Sequence, residues 1–173
     1  MKHLIAALVL FLALPALATP LTGTFPSIDG GMLSIEDWRG RPVLVVNTAS
    51  RCAFTRQYDE LQALQDTYGD RGLVVLAVPS NDFRQELATE EEVKDFCELN
   101  FDLTLPMTGI TQVRGPDAHP LYKALRAKGF EPAWNFNKVL IGPDGEVAGT
   151  WGSLAGPMSP AITDRIEAML PSQ

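Results

Sequence analysis

The sequence predicts an α/β fold: a mixed central sheet flanked by helices and preceded by an N-terminal β-hairpin. Three observations carry this. Two short aliphatic runs, Val43-Leu44-Val45-Val46-Asn47 and Leu73 to Val78, lie on either side of a segment with helical periodicity. Asp29-Gly30-Gly31 separates two short apolar alternations near the start, and Gly142-Pro143-Asp144-Gly145 separates two strand-like segments near the end. Strand, helix and strand in that order close a right-handed parallel unit. The Gly-containing stretches form hairpins, because Gly adopts the positive φ that a tight turn needs.

Each element follows from its residues. Thr19 to Gly23 is a polar lead with a proline. Phe25 to Ile35 is the first hairpin, and Asp37 to Arg41 (DWRGR) turns into the strand Val43–Asn47, whose unbroken aliphatic character suits burial on both faces. In Thr55 to Tyr68, the residues Tyr58, Leu61, Leu64 and Tyr68 share one helical face, with Thr55 able to cap the start and Gly69 and Gly72 bracketing the exit. The loop Pro79 to Gln85 leaves the second strand at the same end of the sheet as Cys52, the carboxyl edge where ligands and catalytic groups gather in open α/β sheets. Thr89, with Glu92 three residues on, opens a helix reaching about Leu99, with Cys97 near its end. An extended stretch Asp102 to Pro106, a helix His119 to Lys128, strands Asn137–Ile141 and Glu146–Trp151, and a closing helix Pro160 to Leu170 complete the chain. This order of elements is thioredoxin-like.

The 173-residue chain begins Met1-Lys2-His3, followed by an apolar run from Leu4 to Ala18 that ends in Ala16-Leu17-Ala18. A positive start, a short apolar centre and an A-x-A ending are the marks of a cleavable secretory signal over residues 1–18. The run is about 15 residues, short of the roughly 20 that a spanning helix takes, so no stable membrane anchor is expected. Residues 19–173 are then expected to form a single domain in a periplasmic or secreted protein. Cleavage would remove Lys2 and no acid, leaving the chain more negative than its formal charge of −7. Nucleic-acid binding needs clustered Lys and Arg, so it is not expected of this chain.

A domain of this size buries enough apolar surface to fold without staples. The two cysteines, Cys52 and Cys97, are therefore not needed to rescue a small fold. Export makes a disulfide between them feasible, whether structural or part of a redox cycle. There is no C-x-x-C or H-x-x-H spacing, and His119 is the only histidine left after cleavage. A zinc site therefore has little support, and neither metal nor cofactor is expected. A Cys-His nucleophilic pair would have to recruit His119, whose place at a helix start is explained equally well by packing.

Cys52 lies between a buried strand and a helix start, where backbone N–H groups and the positive helix end favour a thiolate. A buried apolar cysteine fits the same position. Spacing alone leaves both readings open.

The segment NTASRCAFTRQYDELQALQDTY resembles the signature around the peroxidatic residue of the glutathione peroxidase family. The likeness continues through VPSNDFRQE, FCELNFDLTLPM, GPDAHPLYKAL and WNFNKVLIGPDGEV, from about Phe25 to Leu170. The resemblance implies that Cys52 is the peroxidatic cysteine and that Gln85, Trp134 and Asn135 complete the catalytic group. Cys97 stands where some members carry a resolving cysteine, and those members typically draw electrons from thioredoxin rather than glutathione. The implied activity is reduction of hydrogen peroxide or organic hydroperoxides through a Cys52 sulfenic acid and a Cys52–Cys97 disulfide, recharged by a thioredoxin-like or glutathione reductant.

The chain departs from the family in Val78-Pro79-Ser80-Asn81-Asp82-Phe83, which lacks an additional cysteine, and in Gln85-Glu86-Leu87 in place of Q-E-P. Asp82 adds a negative charge that would oppose a nearby thiolate. The short Lys128 to Trp134 segment lacks the insertion through which tetrameric relatives associate, which implies a monomer. Two other classes fit the bare residues: an exported thioredoxin-like binding protein with a structural disulfide, and a protein thiol-disulfide oxidoreductase. The absent C-x-x-C weakens the second.

Overall fold

The computed structural model describes residues 19–171, so the proposed leader and its cleavage point lie outside the described residues. The N-terminal hairpin pairs β1 (Thr24–Pro26) with β2 (Met32–Ser34), antiparallel, across Asp29-Gly30-Gly31, and both glycines have positive φ. The central sheet is built from β3 (Val43–Thr48), β4 (Val74–Pro79), β5 (Lys138–Ile141) and β6 (Val147–Trp151), in the order β4-β3-β5-β6. β3 and β4 run parallel from the Val43–Val74 pair to the Thr48–Pro79 pair. β5 lies antiparallel to β3, and β6 to β5. The sheet is mixed, and its parallel pair, inner β3 and edge β4, arises from the two aliphatic runs.

Every residue of β3 and β4 is buried, because both faces of the sheet are covered. Side chains alternate between faces along a strand. Leu44 and Val46 join the cluster packed by α1 (Gln57–Tyr68), α2 (Glu90–Phe101) and α4 (Pro160–Glu167). Val43 and Val45 join the cluster packed by α3 (Pro120–Ala127) and by Phe25 of the hairpin. The free edge of β4 is partly closed by the chain after Asp102–Pro106: Ala77 N donates to Pro106 O and Thr108 N to Ala77 O, both at 3.0 Å. An unpaired edge would invite intermolecular pairing.

Three helix ends differ from the sequence reading by two residues or more, and other element ends by a single residue. α1 begins at Gln57, and Thr55 does not cap it. Thr55 N donates instead to Cys52 O at 3.2 Å, and Gln57 N to Phe54 O at 2.9 Å, so successive turns fill residues 52–56 before the helix settles. α2 runs on to Phe101, where Asp102 takes a left-handed conformation (φ 48°). α4 stops at Glu167, and the bonds Met169 N to Ile166 O and Leu170 N to Glu167 O tighten the last turn while Leu170 stays buried. The Thr89–Glu92 capping box forms as expected: Glu92 N donates to Thr89 Oγ1 and Thr89 N to Glu92 Oε2, both at 3.2 Å.

Candidate active site

The carboxyl end of β3 delivers Asn47 to Cys52, and the loop after β4 delivers Asn81 to Leu87. Hydrogen bonds join the two loops. Ser80 N donates to Thr48 O at 3.0 Å and Arg51 N to Gln85 O at 2.8 Å. Ser50 N donates to Glu86 Oε1 at 2.9 Å. The residue before Cys52 is therefore held directly against Gln85. Cys52 itself is 6% exposed, in the turn closed by Thr55 N.

The Trp134-Asn135-Phe136 segment approaches from before β5. Asn135 is fully buried, and its Nδ2 donates to Gln85 Oε1 at 2.9 Å. That bond uses the Gln85 carbonyl, which leaves the Gln85 amide N–H₂ as the group able to donate to a charge at the cysteine. Asn135 keeps one further N–H. Asn47 clamps the same segment from β3: its Nδ2 donates to Trp134 O at 3.0 Å, and its backbone carbonyl accepts from Phe136 N at 2.6 Å. Phe136 has φ 58°, a left-handed conformation that a bulky residue rarely adopts.

Each residue singled out from the sequence has a definite place here. Trp134 is not a core residue: it is 41% exposed and tilts against Phe83 with ring centroids 5.3 Å apart. Gln85 is half-buried and hydrogen-bonded rather than solvated. The structure joins Gln85 to Asn135 through a side-chain bond and to the Cys52 turn through its backbone. Asp82 is turned to another task, since its Oδ2 accepts from Val113 N at 2.7 Å and Arg114 N at 3.1 Å. His119 caps α3, accepting from Leu121 N at 3.2 Å, stacks on Phe25 at 3.8 Å and places Nε2 3.0 Å from Thr24 O. Both its nitrogens thus serve the hairpin and α3.

Cys97 lies on α2, 1% exposed, in the same core cluster as Cys52, and both are free thiols. Burial pushes its pKa up to about 12, with the charges of Glu86 and Glu98 adding and Tyr58 opposing. The Tyr58 hydroxyl is close enough to influence the thiol, yet makes no hydrogen bond of regular geometry. A small cleft lined by Ile28, Lys94, Cys97, Leu105 and Met107 opens beside this helix rather than beside Cys52.

Sequence reasoning missed Glu86, Asn47 and Ser153. Glu86 is 5% exposed and accepts from both Ser50 N and Leu87 N through Oε1, while Oε2 has no partner. Burial raises its pKa, and the bonds from Ser50 and Leu87 and the charge of Arg51 work against that rise. Its position directly after Gln85 was the only signal available. Ser153 donates to Asn135 O at 2.6 Å from the loop after β6, which nothing in the local sequence marks.

Comparison with known proteins agrees with the geometry. A thioredoxin-family thiol:disulfide interchange protein from Chlorobium tepidum superposes with a TM-score of 0.65 at 20% identity, over 89% of this chain and 99% of its own. The fold is thus thioredoxin-like. The glutathione peroxidase family profile matches residues 22–126. A hydroperoxy fatty acid reductase of Synechocystis is 42% identical over 143 residues, 76% of this chain and 85% of that one. The thioredoxin/glutathione peroxidase BtuE of Escherichia coli is 34% identical over 176 residues, 87% of this chain and 96% of that one. The chain belongs to the glutathione peroxidase family, and it is a thiol peroxidase.

Proposed function

We propose that this peroxidase runs a two-cysteine cycle with Cys52 as the peroxidatic and Cys97 as the resolving residue. The observation that carries the reading is the single hydrogen-bonded unit of the Cys52 turn, Gln85 and Asn135. The Cys52 thiolate attacks the terminal peroxide oxygen, forming an S–O bond as the O–O bond breaks. The departing hydroxide or alkoxide takes up a proton and leaves as water or alcohol, and Cys52 becomes a sulfenic acid. The Gln85 amide, the Trp134 indole N–H and the remaining Asn135 N–H are the donors for the charge that passes through the breaking bond.

Cys97 then displaces hydroxide from the sulfenic sulfur, which gives a Cys52–Cys97 disulfide and water. Because Cys97 is buried on α2, this step requires local opening of that helix, a motion that low-stability segments permit. An external dithiol restores both thiols by exchange. The name of the Escherichia coli relative supports a thioredoxin-like or glutathione reductant, and that of the Synechocystis relative supports organic hydroperoxides beside hydrogen peroxide. The leader-like residues 1–18 support export of one domain, residues 19–173, to the periplasm, and the short Lys128 to Trp134 segment supports a monomer.

The cycle is tested by mixing reduced protein with hydrogen peroxide while following peroxide consumption and protein mass. Wild type is expected to lose two hydrogens, and Cys97→Ser to trap a sulfenate. Undiminished consumption by Cys52→Ser would sink the assignment. A permanent structural disulfide would instead leave no titratable thiol in the native protein. Comparing turnover with thioredoxin-type and glutathione-based reducing systems identifies the donor. Fractionation of cells expressing the full chain checks export.

A further inference from the structure

Lys138, the first residue of β5, is a fully buried cation with no carboxylate at ion-pair distance among the described residues. Burying an ammonium without a counter-ion is unfavourable, and an apolar side chain of similar size would suit a core position better. The strain is visible in its acidity: burial lowers its pKa from 10.5 to about 8, against the favourable charge of Glu60. Packing alone gives no reason for a lysine here.

Its hydrogen bonds do. Nζ donates to Gln57 Oε1 at 2.6 Å and to Phe136 O at 2.7 Å. Gln57 Nε2 in turn donates to Ser153 O at 2.6 Å. Ser153 Oγ donates to Asn135 O at 2.6 Å and accepts from Asn137 Nδ2 at 2.9 Å. Asn135 Nδ2 closes the path on Gln85 Oε1. The first turn of α1, the start of β5 and the loop after β6 thus converge on the backbone of residues 135 and 136. The carbonyl that Lys138 holds belongs to Phe136, whose left-handed backbone needs outside support to persist.

We propose that Lys138, acting through Gln57 and Ser153, is a positioning residue of the peroxidase site: it holds the Asn135–Phe136 backbone so that the Asn135 amide reaches Gln85. The proposal rests on the reading above in which Gln85 and Asn135 serve the Cys52 thiolate. It makes the lysine's place in the core a requirement of the site rather than of the fold.

The test compares Lys138→Met, Ser153→Ala, their double variant and Asn135→Ala in the full mature chain. The readouts are the second-order rate of Cys52 oxidation by hydrogen peroxide and the pH profile of Cys52 alkylation in a Cys97→Ser background. Lys138→Met and Ser153→Ala should each slow oxidation roughly tenfold and displace the alkylation profile to higher pH, because misplaced donors stabilise the thiolate less. The double variant should be impaired by less than the product of the two single effects, because both act on one backbone segment. Wild-type rate and profile in folded Lys138→Met and Ser153→Ala, with Asn135→Ala impaired, would overturn the positioning role alone. An unimpaired Asn135→Ala would overturn the donor reading and the proposal with it. Should Lys138→Met fail to fold, Ser153→Ala and Gln57→Ala decide by the same criteria.

Discussion

Asn135 Nδ2 and Gln85 Oε1 meet at 2.9 Å although the two residues are 50 apart in sequence, one before β5 and the other in the loop after β4. The bond occupies the Gln85 oxygen and leaves its N–H₂ as the donor that the proposed mechanism assigns to Cys52. Replacing Gln85 by Ala removes a donor outright and should lower kcat/KM for peroxide by roughly 100- to 1,000-fold, in the range seen for lost oxyanion donors. Asn135→Ala should do the same in part through Gln85. The double variant should therefore fall short of the product of the single effects, a coupling that stopped-flow oxidation rates measure directly.

Glu86 holds the same loop from beneath. Glu86→Ala strands the buried N–H of Ser50 and the partly buried N–H of Leu87 and should destabilise by about 2 kcal/mol, read from urea unfolding. Glu86→Gln keeps an acceptor and should be far milder. The raised pKa gives this pair a pH signature. The folded state binds the proton more tightly than the unfolded chain, so the Glu86 contribution is fully present below 4.5 and is lost as pH rises toward the folded value. Wild type should lose stability relative to Glu86→Gln over that interval, and parallel curves would show that the carboxyl is not perturbed.

The proposed opening of α2 has a handle at its capping box. With the Cys97 thiol at about 12 and nearly inaccessible, alkylation of reduced Cys97 near neutral pH must proceed through the opened helix. Thr89→Ala removes the cap and should cost about 1 kcal/mol of local stability. If the cap breaks in the same opening, Cys97 alkylation and the sulfenate-to-disulfide step should both accelerate about fivefold. Peptide-resolved mass spectrometry follows the first and quenched-flow mass analysis the second. A disulfide step that does not respond while alkylation does would take α2 opening off the reaction path.

Lys138 should be visible in the stability of the whole protein. Its folded pKa lies below its unfolded value, so its contribution is present above 10.5 and is lost as pH falls through about 8. Between those limits wild type should gain stability with pH relative to Lys138→Met. Urea midpoints at matched pH values isolate the effect, because the other titrating groups are common to both proteins.

The elements were legible wherever a local rule decides them. Two aliphatic runs became β3 and β4, Gly30-Gly31 and Gly142 to Gly145 turned hairpins, and Thr89 with Glu92 capped α2. The α1 start was misread because Thr55 is a plausible cap in isolation, whereas the turn after Cys52 takes its N–H for the cysteine's own carbonyl. The direction of the Asp82 carboxylate was not legible either. A charge near a site in sequence says nothing of where it points, and here the backbone of Val113 and Arg114 claims it.

By itself the sequence determined the alternation of strands and helices, the family, and the residue types able to carry peroxide chemistry. Those depend on periodicity, turn residues and short motifs, which act over a few positions. Only the tertiary structure decided that the Gln85 oxygen faces Asn135, that Glu86 braces the Cys52 loop, and that Lys138 reaches Gln57 from 81 residues away. A buried polar group must find a partner, and which partner it finds is set by the loops that the sheet brings together at its edge.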